Sequence, residues 1–215
     1  MKVRYWAVPA CLIVAAGLLF ALFTRSTYKN LPPDELKTYR YRVGSLSGIY
    51  NVDLAKVDLD FLLAQADVAV TAVYTGEHSY SSAAVDWTMA VKSVLKGEDV
   101  GDTLLLEDTI VLFIPTRNTG IYDCRAPLIQ GHTYLLLLKA VDYPVKPKGP
   151  GQYYPLYQSA LGCLDLSMTA PSTPFPKGVL VEDILGSSII TCMPEDCALY
   201  DSLVEEARTR FGGEQ

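Results

Sequence analysis

The sequence predicts a mainly β fold with flanking helices, a small barrel or sandwich, on three observations. Val85, Trp87, Met89 and Val91 alternate with Asp86, Thr88, Ala90 and Lys92, the period of two that marks a strand with one buried face. Five short segments of strand character follow one another with no long helix between them, which argues against a parallel α/β sheet. The run Leu135-Leu136-Leu137-Leu138 places apolar groups on both faces of one strand, so something must cover its second side.

In chain order, the first element is Tyr5 to Thr24, twenty residues without a charge. That length crosses ~30 Å of hydrocarbon as a helix, and Tyr5 and Trp6 stand where interfacial aromatics belong. The run is longer than the about 7–15 apolar residues of a signal peptide, and no A-x-A site precedes Arg25-Ser26. A lipoprotein would use Cys11, but the apolar run lies mostly after that cysteine. An uncleaved transmembrane anchor is expected over residues 5–24, with a cytoplasmic tip at 1–4 and a juxtamembrane linker at 25–57. Lys2 and Arg4 favour an N-terminus inside, whereas Arg25, Lys29, Lys37, Arg40 and Arg42 on the other flank oppose it. The remaining cysteines decide the orientation. Cys124, Cys163, Cys192 and Cys197 are an even set compatible with two disulfides in an oxidising compartment, so the domain is expected outside the cytoplasm.

The chain has 215 residues, one ordinary domain plus attachments. Its net charge is −6, and because residues 1–30 carry four basic side chains and no acid, the remainder carries −10. A domain that acidic repels nucleic acid and anionic lipid. Membrane contact is therefore expected through the N-terminal helix, and the partner is expected to be a protein or other envelope component.

Within the domain, Asp58 or Asp60 can cap a short helix through Gln65, with Phe61 and Leu62 inward. Asp67 to Tyr74 is the first strand, with Val68, Val70, Ala72 and Tyr74 inward. Val85 opens the second strand, and its phase breaks at Ser93, which predicts a bulge. Residues 96–102 (KGEDVGD) are a turn by composition. Thr103 to Ile114 is the third strand, stopped by Pro115. His132 to Val141 is the fourth, and Gln152 to Gln158, extending toward Leu166, the fifth. Pro171 to Lys177 reads as a linker, within a boundary segment at 169–178. Val179 to Ile190 is an apolar segment, a strand or a helix. Pro194 to Phe211 is a helix, with Pro194 in its first turn, Glu195 and Asp196 at its positive end and Arg208 and Arg210 at its negative end. Tyr200, Leu203, Val204, Ala207 and Phe211 form its apolar stripe, a candidate cover for the leucine strand. Residues 179–215 are thus expected as a helical extension packed on the barrel.

Three features are similar to a known family. Ala66-Asp67-Val68 opens a strand, Val94-Leu95-Lys96-Gly97 runs into a turn containing Gly101, and Gly131 precedes Tyr134 to Leu138. Together they resemble the netrin-module and tissue-inhibitor-of-metalloproteinase-like (TIMP-like) OB-fold, especially its uncharacterised bacterial envelope versions. The resemblance implies a small OB-like barrel over residues 58–168. In such a barrel residues 116–130 would cross one end, and a Cys124–Cys163 disulfide would tie that loop to the last strand. The inhibitors act through a cysteine at the start of the domain that has no counterpart here, so inhibition does not carry over.

Catalytic motifs are not found. His78 falls in a turn and His132 at a strand start, neither spaced for a metal site or a nucleophile–base pair. No nucleophile elbow, zincin, Walker or dinucleotide motif is present, and no cofactor is implied. Glu98, Asp99, Asp102, Glu107 and Asp108 lack the spacing of a calcium loop and read as solvated turn residues. Cys192 and Cys197 flank the helix start. A local disulfide staple is the preferred reading, because two acids beside the thiol would raise its pKa. The Pro- and Tyr-rich stretch from Tyr143 to Tyr157 offers Tyr143, Tyr153, Tyr154 and Tyr157 as a partner surface. The expected function is therefore a membrane-anchored extracytoplasmic binding or interaction domain without catalysis. A surface thiol-active enzyme using Cys192 and Cys197 is the alternative.

Overall fold

The computed structural model describes residues 14, 17, 18, 40, 41, 43–46, 53–80, 84–97, 100–109, 125–140, 151–176 and 178–212. The chain divides into two units, Met1–Leu31 and Pro32–Gln215. Of the first unit only Val14, Gly17 and Leu18 are described, all three helical. Among the described residues no helix is long and apolar enough to cross a membrane. Nearly all of the expected anchor, including Tyr5, Trp6 and Cys11, lies outside them.

The second unit is built around a closed five-stranded barrel. Its strands are β2 (Val68–Tyr80), β3 (Ala84–Lys96), β4 (Thr103–Thr109), β5 (Thr133–Ala140) and β6 (Gly151–Pro155). They follow the order β2-β3-β4-β6-β5, and β5 pairs back to β2 to close the ring. Only β4 and β6 run parallel; the other neighbours are antiparallel. This order is consistent with an OB-like barrel, whose closure removes exposed strand edges.

The alternation seen in the sequence decides what fills the barrel. Val68, Val70, Ala72 and Tyr74 of β2 meet Val85, Trp87 and Met89 of β3, with Leu104 and Leu106 of β4 and Leu136 and Leu138 of β5. The expected irregularity near Ser93 is two bulges. Thr71 pairs with Ser93 and Ala72 with Val91, leaving Lys92 extra; Ala69 pairs with Lys96 and Val70 with Val94, leaving Leu95 extra. Lys92 and Leu95 are both exposed, as unpaired residues of a bulged strand often are. Gly97 and Gly131, two of the turn glycines, have φ of 101° and 80°, the left-handed region that a side chain disfavours.

The fifth predicted strand departs from expectation. β6 stops at Pro155, which has no N–H for a ladder, and Tyr157 and Gln158 follow at φ 57° and 48°. Two short 3₁₀ turns, Leu156–Gln158 and Ala160–Gly162, then reverse the chain into β7 (Cys163–Asp165), which adds to the edge of β5. An added Cβ at Gly162 would collide with the backbone of Leu156, so the reversal needs glycine there.

A second core lies outside the barrel wall. Helix α1 (Leu59–Gln65) is capped by Asp58, whose carboxylate accepts from Phe61 N at 2.7 Å. Lys96 Nζ donates to the carbonyls of Leu63 and Ala64 at its other end. Leu59 and Leu62 face inward, and Phe61 is half-buried. The long C-terminal helix spans Pro194–Phe211 as expected. Its stripe of Tyr200, Leu203, Val204 and Ala207 joins Leu135 and Leu137 of β5 in this core. The leucine strand thus has Leu136 and Leu138 in the barrel and Leu135 and Leu137 under the helices.

The described parts of the segments read as linkers make contacts with the rest of this unit. β1 (Arg40–Tyr41) pairs with β8 (Val179–Leu180), and a short helix α2 (Val181–Ile184) follows; the C-terminal helix is α3. Val43 packs with Ala126, Val179, Ile184 and Ile190 in a third cluster, and Leu46 enters the second core. The proline segment is pinned too: Ser172 donates to Asp201 through its N–H and its hydroxyl, and Phe175 N donates to Thr191 O. At the centre of these contacts sits Asp196, 1 % exposed. Its Oδ2 accepts from Leu46 N at 2.8 Å and from the Thr191 hydroxyl at 2.7 Å.

Candidate functional site

The outer wall of β3, β4 and β6 carries the most distinctive charge arrangement. Side chains that alternate away from the barrel core project from it. Asp86 and Glu107 stand directly opposite each other across the β3–β4 ladder. Gln152 of β6 bridges them, its Nε2 donating to Asp86 Oδ1 at 3.3 Å and to Glu107 Oε2 at 2.9 Å. Like charges opposite each other on a sheet repel. Partial burial, and then the Asp86 charge, push the Glu107 carboxyl above the usual glutamate range.

The sign of that shift fixes a pH dependence. A glutamate whose folded pKa is raised costs stability while ionised, and the cost fades as pH falls through the folded pKa toward the ordinary value of about 4.3. Glu107→Gln keeps an amide oxygen to accept from Gln152 and removes the charge. The variant is expected to be more stable than the parent at pH 7, with the gap closing by about pH 4. Urea midpoints across that range measure it, and a gap that widens on acidification contradicts the assignment.

The four tyrosines proposed from sequence do not share one surface. Tyr143 lies outside the described residues. Tyr153 packs partly against the barrel core, and Tyr157 against the second core. Tyr154 alternates to the outer wall beside Gln152, opposite Lys139 of β5, whose Nζ pairs with Asp67 Oδ1 at 2.7 Å. Alternation along β6 therefore separates neighbours that composition had grouped.

The expected disulfides fare differently. No disulfide joins any two of Cys163, Cys192 and Cys197, and Cys124, the expected mate of Cys163, lies outside the described residues. The Cys192–Cys197 staple is not formed, because the two thiols serve different places. Cys197 is buried in the second core, whereas Cys192 packs against the third cluster and its Sγ donates to Gly44 O at 3.4 Å. Burial, then Asp201 and Asp196, push the Cys197 thiol up, which leaves it little thiolate at neutral pH.

One pairing invisible to spacing joins His132 to Asp165, Nδ1 to Oδ2 at 2.9 Å. Asp165 is buried, and its Oδ1 also accepts from Ser167 N and Met168 N. This is the base-and-orienter half of a catalytic triad. Among the described residues no hydroxyl or thiol bonds to the imidazole, and the pair ties the start of β5 to β7. His78 bonds the Tyr74 hydroxyl at 2.8 Å and its ring lies 5.4 Å from that of Trp87. Among the described residues no group of three or more His, Cys, Asp or Glu could hold a metal ion, and Glu98 and Asp99 lie outside them.

Compared with known proteins, the chain matches no family model and no curated relative.

Proposed function

We propose that this chain is a membrane-anchored extracytoplasmic domain that binds an envelope partner through the outer wall of β3, β4 and β6, without catalysis. The observation that carries the reading is the acid pair Asp86–Glu107 held across one ladder by Gln152. A repulsive pair lowers the stability of the sheet that bears it, and an incoming cation relieves the repulsion. The partner is accordingly one that presents a lysine, an arginine or another cationic group to the wall. Barrels of OB type bind through this same face and its adjoining loops, and the strand order supports that finer description together with the netrin-module likeness. The uncharged run from Tyr5 to Thr24 supports the anchor. The thiol-active alternative is less well supported, since Cys197 is buried and its thiol is pushed up.

A photo-crosslinking residue at Thr88, between the acid pair and the end of the wall, tests the reading in native membranes. A discrete adduct is expected from Thr88, lost when Glu107→Lys is added, and absent when the probe replaces the exposed Glu195 of α3. Protease added outside intact spheroplasts should degrade the domain. No adduct at Thr88, or one indifferent to Glu107→Lys, removes the contact face; full protection from protease removes the extracytoplasmic placement.

A further inference from the structure

A groove of 420 Å³ opens where the outer face of β2, β3 and β5 meets the last turns of α3. Thr71, Lys92, Thr133, Ser167 and Arg208 supply its polar lining, with Val73 and Phe211 as apolar walls. Its size suits a small molecule. Among the described residues the lining holds two cations, Lys92 and Arg208, and no carboxylate, the reverse of the −10 carried by residues 31–215. The C-terminal carbonyls of α3 offset only about half a charge.

The donors are placed, and part of their capacity is unspent. Lys92 is the extra residue of a bulge, exposed and with no carboxylate partner among the described residues; bulges commonly re-aim a side chain at a site. Arg208 is fixed by Nε donating to Leu166 O at 2.9 Å and by Nη1 against Glu205 at 3.4 Å. Its Nη2 is buried with no acceptor, which costs free energy until one arrives. Ser167 Oγ accepts from Thr133 N, which leaves its own hydrogen to give. A pocket of donors around two cations selects a ligand of acceptors.

From this we infer that the groove is a binding site for a small organic anion, a carboxylate or a phosphate ester, with its apolar part lying between Val73 and Phe211. Lys92 and Ser167 contact the anion directly, and a small opening of the last turn of α3 brings Arg208 Nη2 to it. The inference does not rest on the acid pair of the proposed contact wall.

The test uses the full chain in neutral detergent, with inorganic phosphate and hexanoate as probes and chloride holding ionic strength constant. At least one probe is expected to raise the thermal midpoint saturably where chloride does not. Lys92→Gln, on an exposed residue, should fold normally and weaken that response about tenfold, as loss of one charge-assisted contact does. Lys139→Gln, whose lysine pairs with Asp67 away from the groove, should leave it unchanged. Phosphate alone acting assigns a phosphorylated ligand, hexanoate alone a carboxylate, and either supports the site. No response beyond chloride overturns it, as does an equal response in Lys92→Gln or an equal weakening in Lys139→Gln.

Discussion

Leu137→Ala is expected to cost about 2–5 kcal/mol, the usual range for emptying a fully buried leucine site. Leu137 has no exposed surface and lies in the core beneath α3. Leu138→Ala, one residue on, should cost a similar amount because Leu138 is equally buried inside the barrel. The two differ in what they couple to. Leu137 and Leu203 belong to one cluster, so a double-mutant cycle with Leu203→Ala should show about 0.5–3 kcal/mol of coupling. Leu138 belongs to the other cluster, and its effect should add to that of Leu203→Ala within about 0.5 kcal/mol. Urea unfolding of the six proteins in the two cycles decides it. Equal coupling of both leucines to Leu203 would mean that the wall of β5 does not separate two cores.

The second large effect is at Asp196. Asp196→Ala strips the acceptor from Leu46 N and from the Thr191 hydroxyl, both bonded to the same oxygen. Leu46 N is then left buried without a partner, at about 1–3 kcal/mol, whereas the Thr191 hydroxyl still has Gly44 O at 3.3 Å, so a loss of about 1–3 kcal/mol is expected. Asp196→Asn should lose less than half as much, because its amide oxygen can accept both donors and no buried charge remains. Hydrogen exchange localises the effect: the Leu46 amide should exchange faster in the alanine variant before β5 amides change. If Leu46 keeps its protection, the pairing of β1 with β8 rather than Asp196 holds the pre-barrel segment.

Several features were legible because the physics that makes them is local. The inward set of Val68, Val70, Ala72 and Tyr74 follows from a period of two, and the stripe Tyr200, Leu203, Val204 and Ala207 from a period of 3.6. The bounds of α3 follow from Pro194 at its start and Gly212 at its end. The need for a cover over the leucine strand was legible as well, since four consecutive leucines cannot all face one way. In two places one local signal has two structural uses. Prolines at 171, 174 and 176 looked like a spacer, yet Ser172 and Phe175 tie that stretch to Asp201 and Thr191. Two cysteines five positions apart looked like a staple, but the turn before α3 sends Cys192 and Cys197 into different clusters.

The candidate sites were the least legible part. Gln152 meets Asp86 and Glu107 from 66 and 45 residues away, through a parallel contact of β4 with β6 that no spacing announces. Asp196 meets Leu46 across 150 residues, and Asp165 meets His132 across 33. Residues near in sequence were enough to mark β2, β3, β4, β5, α1 and α3 and the inward sets of β2 and α3, because steric preference and periodic burial act between near neighbours. Which strands adjoin, which charges oppose one another and which donors line the groove depend on contacts far apart in the chain. Those pairings come from closing a barrel without open edges and from burying the surface of the whole chain together, and both depend on every segment at once.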